Sequence, residues 1–410
     1  MSTLGKKIKA RRKEMKLTLK ELAGDDFSYS LLSQIENDKA NPSMETLQKL
    51  AEKLQLVASE LLNPVDIELY KQLLIENERK FVMPYDRDPK VDRAILESIQ
   101  PHIEHFTYRY YEEARLCELF CMSSYYVTNE LNEPLMNRAI DYYRQSGAIQ
   151  HLYKAQLFVI NYYFAQKEYE ESHRKIKELL LKLPQEEYLL DTKTILDCLF
   201  LKSMLESAVG NYGESLQAID KCFTIAHEQS FYARFDRMLQ SRTLLTIQLN
   251  DEIEVQQQLQ AFKRYVDFTE NVYNEAHYMY TYLHVENRLN EKPTIVEEAR
   301  SYIEAHDEEE YGPLSVIFNQ EIGYAYWKQG DYEKALDELK SFDIPPYLIH
   351  PLDRAAGLEI LAIRAYCYEM LGDRASAVEE ISQCHQQMKK FPPSTYKQHV
   401  DEIYKDIMRL

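Results

Sequence analysis

A turn signature returns along most of this chain at an almost fixed interval. Placed at Lys167, Gly210, Asn250, Asn290, Gly330 and Gly372, it recurs after 43, 40, 40, 40 and 42 residues. A chain that repeats itself at such a period folds by stacking unit on unit, because each unit buries its apolar face only against its neighbours. The units are helical. Ten glycines in 410 residues leave few breaks, Leu, Glu, Lys and Gln are abundant, and no stretch alternates apolar and polar residues as a half-buried strand does. The predicted fold class is therefore all-α.

The fullest copy of the unit is EIGYAYWKQGDYEKAL, Glu321 to Leu336, in which small Gly323, aromatic Tyr326, a Gly-Asp-Tyr turn and Ala335 let two antiparallel helices pack closely. AYCYEMLGDRASAV lies 42 residues later with Ala365, Tyr368, Gly372, Asp373 and Ala377 in the matching places, and GNYGES, Gly210 to Ser215, lies 120 residues earlier. These segments resemble tetratricopeptide (TPR) repeats, which implies a right-handed superhelix exposing the first helix of each hairpin on its concave face. The period exceeds the usual ~34 residues, so the helices should each be longer by about a turn. Residues 91–145 are expected to supply one or two more hairpins, and EAHDEEEYGP, Glu304 to Pro313, a loop. Counting from the small position of each first helix puts Lys154, Asn161, Arg237, Gln240, His277, Tyr280, His284, Asn287, Arg288, Gln320 and Tyr324 on the concave face. Asn and Gln amides there can bond both N–H and C=O of an extended peptide, and Arg or Lys its carboxylates. For any one of them, solvation or interhelical packing is an equally good reading.

The N-terminal end is different. LTLKELAGDDFSYSLLSQIENDKANPS, Leu17 to Ser43, reads as two short capped helices joined by a tight turn, with the second running from the N-cap Ser28 to Asn37. Its register turns Leu31, Leu32 and Ile35 inward and Tyr29, Ser30, Ser33 and Gln34 outward. Leu4, Ile8, Arg12 and Met15 mark a helix before it, Thr18 and Glu21 a capping box, and Leu47, Leu50, Ala51 and Leu54 a helix after it. Five helices fit within residues 1–62.

SQIEN, the nearby NPS and the pattern LxxLAxxLxL ending in ELL are similar to the XRE/Cro-type helix-turn-helix family over about the first 65 residues. The resemblance implies that Tyr29, Ser30 and Gln34 approach base edges in the major groove, with Ser28 and Ser33 beside them, and that Lys39 and Asn41 touch phosphate. It also implies that Arg12 pairs with Glu36 instead of reaching DNA. Leu19 stands where many members carry a phosphate-binding glutamine, the segment between the helices is one residue short, and Asp25 and Asp26 sit where phosphate would approach.

Charge separates the two regions. Residues 1–20 hold eight Lys or Arg against Glu14 alone, residues 1–65 net +2, and the remainder nets −20. The basic stretch suits an electrostatic footprint on DNA, while so acidic a body repels nucleic acid and membrane surfaces. The domains expected are a helix-turn-helix domain at 1–65, a linker helix from Asp66 to Lys80 with turns to residue 90, and a TPR-like domain at 91–410.

The six cysteines, at 117, 121, 198, 222, 367 and 384, are scattered among helical segments, as reduced core thiols of a cytosolic protein are. His102 and His105 precede Cys117 and Cys121, but without zinc-knuckle turns the bland reading, core packing, is preferred, and no metal or cofactor is expected. A Gly-rich phosphate loop, HExxH and G-x-S-x-G are all lacking, so no enzyme is expected. The polar N-terminus has no signal peptide and no apolar run reaches the ~20 residues of a membrane helix, which points to the cytoplasm.

A helix-turn-helix head followed by a degenerate TPR solenoid resembles the RRNPP peptide-sensing regulators, nearest to their NprR- and PlcR-like members. That resemblance implies a quorum-sensing homodimer that binds an inverted-repeat DNA operator and a short signalling peptide in the concave groove. The alternative it leaves open is a Rap-like adaptor, gated by peptide, that binds a response regulator or other protein.

Overall fold

The computed structural model describes residues 4–56, 67–81, 88–290, 292–306 and 315–409, which form helices, short turns and no strand. The chain divides into two compact units, residues 1–147 and 148–410.

In the first unit, α1 (Leu4–Glu14), α2 (Leu19–Ala23), α3 (Tyr29–Glu36) and α4 (Met44–Lys53) enclose a core of Ile8, Leu22, Leu32, Ile35, Leu47, Leu50 and Leu54. The helix ends are set by local chemistry. Thr18 and Glu21 form the expected capping box on α2, Ser28 caps α3 through the Leu31 amide, and Ser43 caps α4 through the Thr46 amide. The fifth helix expected here falls outside the described residues. Downstream, α5 (Ile67–Lys80) occupies the expected linker-helix position, followed by α6 (Pro89–Ile103) and a hairpin of α7 (Tyr111–Thr128) and α8 (Glu133–Ser146) turning on Asn129 at φ 59°.

Among the described residues the second unit is a row of six hairpins. They pair α9 (Ile149–Ala165) with α10 (Tyr169–Leu180), α12 (Thr192–Ala208) with α13 (Tyr212–Glu228), and α14 (Phe235–Ile247) with α15 (Glu252–Thr269); the short α11 (Leu183–Glu186) separates the first two. Then come α16 (Val272–Leu289) with α17 (Ile295–Ala305), α18 (Ser315–Lys328) with α19 (Tyr332–Leu339), and α20 (Pro351–Met370) with α21 (Arg374–Met388). A last helix, α22 (Thr395–Met408), packs on α20 and α21. Most of the acidic loop expected at Glu304–Pro313 lies outside the described residues.

The repeat register holds at atomic detail. Of the six turn positions read from sequence, Lys167, Gly210, Asn250, Gly330 and Gly372 have left-handed backbone, at φ 65°, 87°, 56°, 77° and 90°. Asn290 alone is extended, at φ −124°. Five residues after each turn comes a buried side chain: Ser172, Ser215, Val255, Ile295, Ala335 and Ala377. For the first two, the residue twelve positions earlier in the first helix is the partner. Ser172 donates to the Ile160 carbonyl and Ser215 to the Ser203 carbonyl, and Leu339 packs so tightly against Gly323 that a Cβ there would stand 2.5 Å from its Cδ2. At Gly323 the close approach of the two helices leaves no room for a side chain.

Candidate DNA-reading helix and polar inner face

Helix α3 presents a polar outer face held from beneath by a buried ion pair. Arg12 places Nε 2.6 Å from Glu36 Oε1 and Nη2 2.9 Å from Oε2, and Nη1 donates to the Leu17 carbonyl, so α1, α3 and the turn between α1 and α2 are locked together. Asp38 Oδ1 accepts from the Gly5 amide at 3.0 Å, and a Cβ on Gly5 would meet the Ile35 carbonyl at 2.2 Å; α1 therefore lies backbone-close on the end of α3. Outside, Tyr29 is 61% exposed, and Ser28, Ser30, Gln34, Lys39 and Asn41 are exposed with Ser33 half-buried. Asp26 is 2.6 Å from Lys53 Nζ, which offsets its repulsion of phosphate, and Leu19 packs on the core. Arg12 is held above its ordinary value by its hydrogen bonds and charge pairing with Glu36.

The other candidate residues lie on the first helices of the hairpins, where polar groups join one hairpin to the next. Lys154 is exposed and 3.5 Å from Asp191; Asn161 is exposed and donates to the Leu157 carbonyl. Arg237 and Gln240, half-buried on α14, reach the Tyr273 hydroxyl at 3.0 Å and Thr281 Oγ1 at 3.3 Å on α16. His277 is buried with Nδ1 3.5 Å from Asp236, and its value is lowered because burial outweighs that carboxylate.

Further along, the expected residues sit inside the packing. Arg288 bridges two buried carboxylates, with Nη1 3.0 Å from Glu321 Oε2 and Nη2 2.6 Å from Glu359 Oε2, between the rings of Tyr324 and Tyr396 at 4.5 and 5.6 Å. Asn287 Nδ2 donates to the Glu321 carbonyl and carboxylate, His399 is 2.8 Å from Glu359, and Tyr280 packs on His284. Burial and the Arg288 charge lower His284, so its neutral ring donates from Nδ1 to Glu321 and accepts at Nε2 from the Tyr396 hydroxyl, each at 2.8 Å. His284, Asn287 and Tyr324 are thus buried rather than lining an open face, because two carboxylates, Arg288 and α22 cover them; Gln320 is buried too, with its Nε2 meeting no acceptor among the described residues.

Sequence reasoning missed Glu321, Glu359, Tyr396 and His399. The available signal was a lone acid in the small, apolar run of Glu321 to Tyr326, where an uncompensated charge is untenable.

The thiols join no such site. Cys117 and Cys121 turn to the carbonyls of Leu135 and Asn132, and His102 packs edge-on against Tyr70. Burial pushes Cys198, Cys222, Cys367 and Cys384 each up to about 12. Among the described residues no group of three or more His, Cys, Asp or Glu is placed to hold a metal ion, and no helix is long and apolar enough to cross a membrane.

Comparison with known proteins agrees with the geometry of the head. A 58-residue stretch is 47% identical to an immunity repressor protein of Bacillus phage phi105, covering 14% of this chain; the chain spans about two-fifths (40%) of that relative's length. Among solved structures, PlcR of Bacillus thuringiensis in complex with the peptide PapR7 and DNA is 20% identical, covering 68% of this chain and 99% of that one with a TM-score of 0.37. The SHP pheromone receptor Rgg2 of Streptococcus dysgalactiae is 14% identical (67% and 98% covered, TM-score 0.29), and the apo competence regulator ComR of Streptococcus vestibularis 18% identical (74% and 98%, TM-score 0.27). Residues 8–61 match the family described as Helix-turn-helix, and this segment of the chain is a helix-turn-helix domain.

Proposed function

We propose that the chain is a cytoplasmic transcriptional regulator whose helix-turn-helix domain reads a DNA operator and whose hairpin domain binds a short signalling peptide that alters DNA affinity. The observation that carries the DNA half is the exposed polar face of α3 above the buried Arg12–Glu36 pair, since base reading needs polar side chains on a rigid, fixed helix. Tyr29, Ser30 and Gln34 contact base edges with Ser28 and Ser33 beside them, and Lys39 and Asn41 contact phosphate. One such module offers too little contact for a specific site, so the operator is an inverted repeat bound by a homodimer, joined through the hairpin domain.

The inner face supports the peptide half. Lys154, Asn161, Arg237 and Gln240 are open enough to meet a ligand, whereas His277, His284, Asn287, Gln320 and Tyr324 are buried, with Arg288 and Tyr280 half-buried, and support that face from within the packing.

The test is operator titration at fixed salt with candidate peptides. Gln34→Ala or Tyr29→Ala should cost ~1–3 kcal/mol per half-site and relax sequence preference. Unchanged operator affinity in both variants would refute the DNA assignment; affinity indifferent to a saturating peptide would favour a protein-binding adaptor.

A further inference from the structure

The linkers after the fifth and sixth hairpins both contain a proline pair, Pro345-Pro346 and Pro392-Pro393. Each is met by a tyrosine from the start of the row, in both cases two residues past the turn. Tyr169 donates to the Ile349 carbonyl and Tyr212 to the Pro393 carbonyl, both at 2.6 Å. The second contact belongs to a larger set. Gln248 Oε1 accepts from the Thr395 amide at 3.0 Å and from its hydroxyl at 3.1 Å, and the Tyr396 hydroxyl meets His284 Nε2 at 2.8 Å. Gly210 lies so near Pro392 that a Cβ would stand 3.0 Å from its ring. The linker and the first turn of α22 are therefore met by side chains of the second, third and fourth hairpins, at the Pro393 carbonyl and the Thr395 amide along the backbone and at the Tyr396 hydroxyl, as a groove meets a bound peptide.

We propose that Tyr212, Gln248 and His284 form a peptide cradle whose resident occupant is the chain's own Phe391–Tyr396 segment. The ligand class is a short peptide with a prolyl carbonyl, an amide N–H two residues on, and an aromatic hydroxyl next to it. This deepens the peptide-binding reading above and rests on it. The resident occupant fits incompletely. Gln248 is 8% exposed, yet its Nε2 meets no acceptor among the described residues. A free peptide that adds a carbonyl at that point satisfies both ends of the amide, and a buried donor left unmade is what favours the exchange. Displacing Tyr396 also frees His284, the residue that joins the cradle to Glu321 and through it to Arg288.

The test uses full-length protein and an end-blocked, fluorescent peptide of the resident sequence, Phe-Pro-Pro-Ser-Thr-Tyr. Thr395→Pro with Tyr396→Phe unlatches the segment while sparing the helix, because Thr395 is the first residue of α22, where proline is tolerated, and phenylalanine keeps the buried ring. By anisotropy, the double variant should bind the probe roughly tenfold or more tightly than wild type, since the competing occupant is gone. Adding Gln248→Ala should remove that gain. Equal affinity in wild type and double variant would overturn the proposal. A second readout keeps the native segment: in Gln248→Ala alone, hydrogen exchange at the Thr395 amide should quicken roughly tenfold, and a wild-type rate would equally overturn it. Neither measurement involves DNA, so lost operator binding with both results intact faults the DNA reading alone. A signalling peptide that shifts operator affinity while the probe binds neither protein removes the cradle and leaves the proposed function standing.

Discussion

Arg12 and Glu36 are buried together, and neither has solvent to turn to if the other is removed. Arg12→Ala should therefore destabilise the helix-turn-helix domain by about 3–5 kcal/mol, read as a fall in its melting transition, and Arg12→Lys should restore only part because a single ammonium cannot span both carboxylate oxygens. Glu321 gives a pH dependence. Burial pushes its carboxyl up, but Arg288, His284 and Asn287 outweigh burial and hold it at about 2, against an ordinary 4.5. Folding thus favours the charged form. That contribution is complete above pH 4.5 and is lost as pH falls towards 2, amounting to about 3 kcal/mol. Denaturant titrations from pH 7 to 2 should show the loss in wild type and a shallower slope in Glu321→Gln, which will be the less stable protein at pH 7 because Arg288 is then under-compensated.

At the scale of the hairpin, two substitutions at repeat positions should move stability in opposite directions. Gly323→Ala drives a Cβ into buried Leu339 and should cost ~1–3 kcal/mol by chemical denaturation. Lys167→Gly relieves a left-handed backbone that any residue with a Cβ resists, and should gain about 0.5–1 kcal/mol net of chain entropy. These same positions explain what was legible beforehand. Turns, small contact residues and caps are local rules, so the period found Lys167 and Asn250 even though neither is glycine. The state of His284, Asn287 and Tyr324 was not legible. Their register is on the inner side, but what covers them comes from Tyr396, 112 residues past His284, and no local pattern reports a partner at that distance. In α3 the opposite holds: inward Leu32 and Ile35 and outward Tyr29 and Gln34 follow from one helical period with a capping serine.

Across the whole molecule, a head at +2 joined to a remainder at −20 confines attraction for DNA to a few side chains. Operator affinity should fall steeply with salt, and Lys39→Ala should weaken all sequences alike and lessen the log–log salt slope by about 1, as removal of one phosphate contact does; an unchanged slope would take Lys39 off the phosphate. If peptide changes operator affinity, operator must change peptide affinity by the same factor, which paired calorimetric titrations can check. The sealed thiols offer a further handle on that coupling. Cys198 and Cys222 lie in the second hairpin, Cys367 and Cys384 in the sixth, all buried and held protonated, so alkylation must wait for the hairpin that contains them to part. The native sequence thus carries two chemical stopwatches near opposite ends of the row: one shared labelling rate means that the hairpins come apart as a single body, and two separate rates mean that each end keeps its own time.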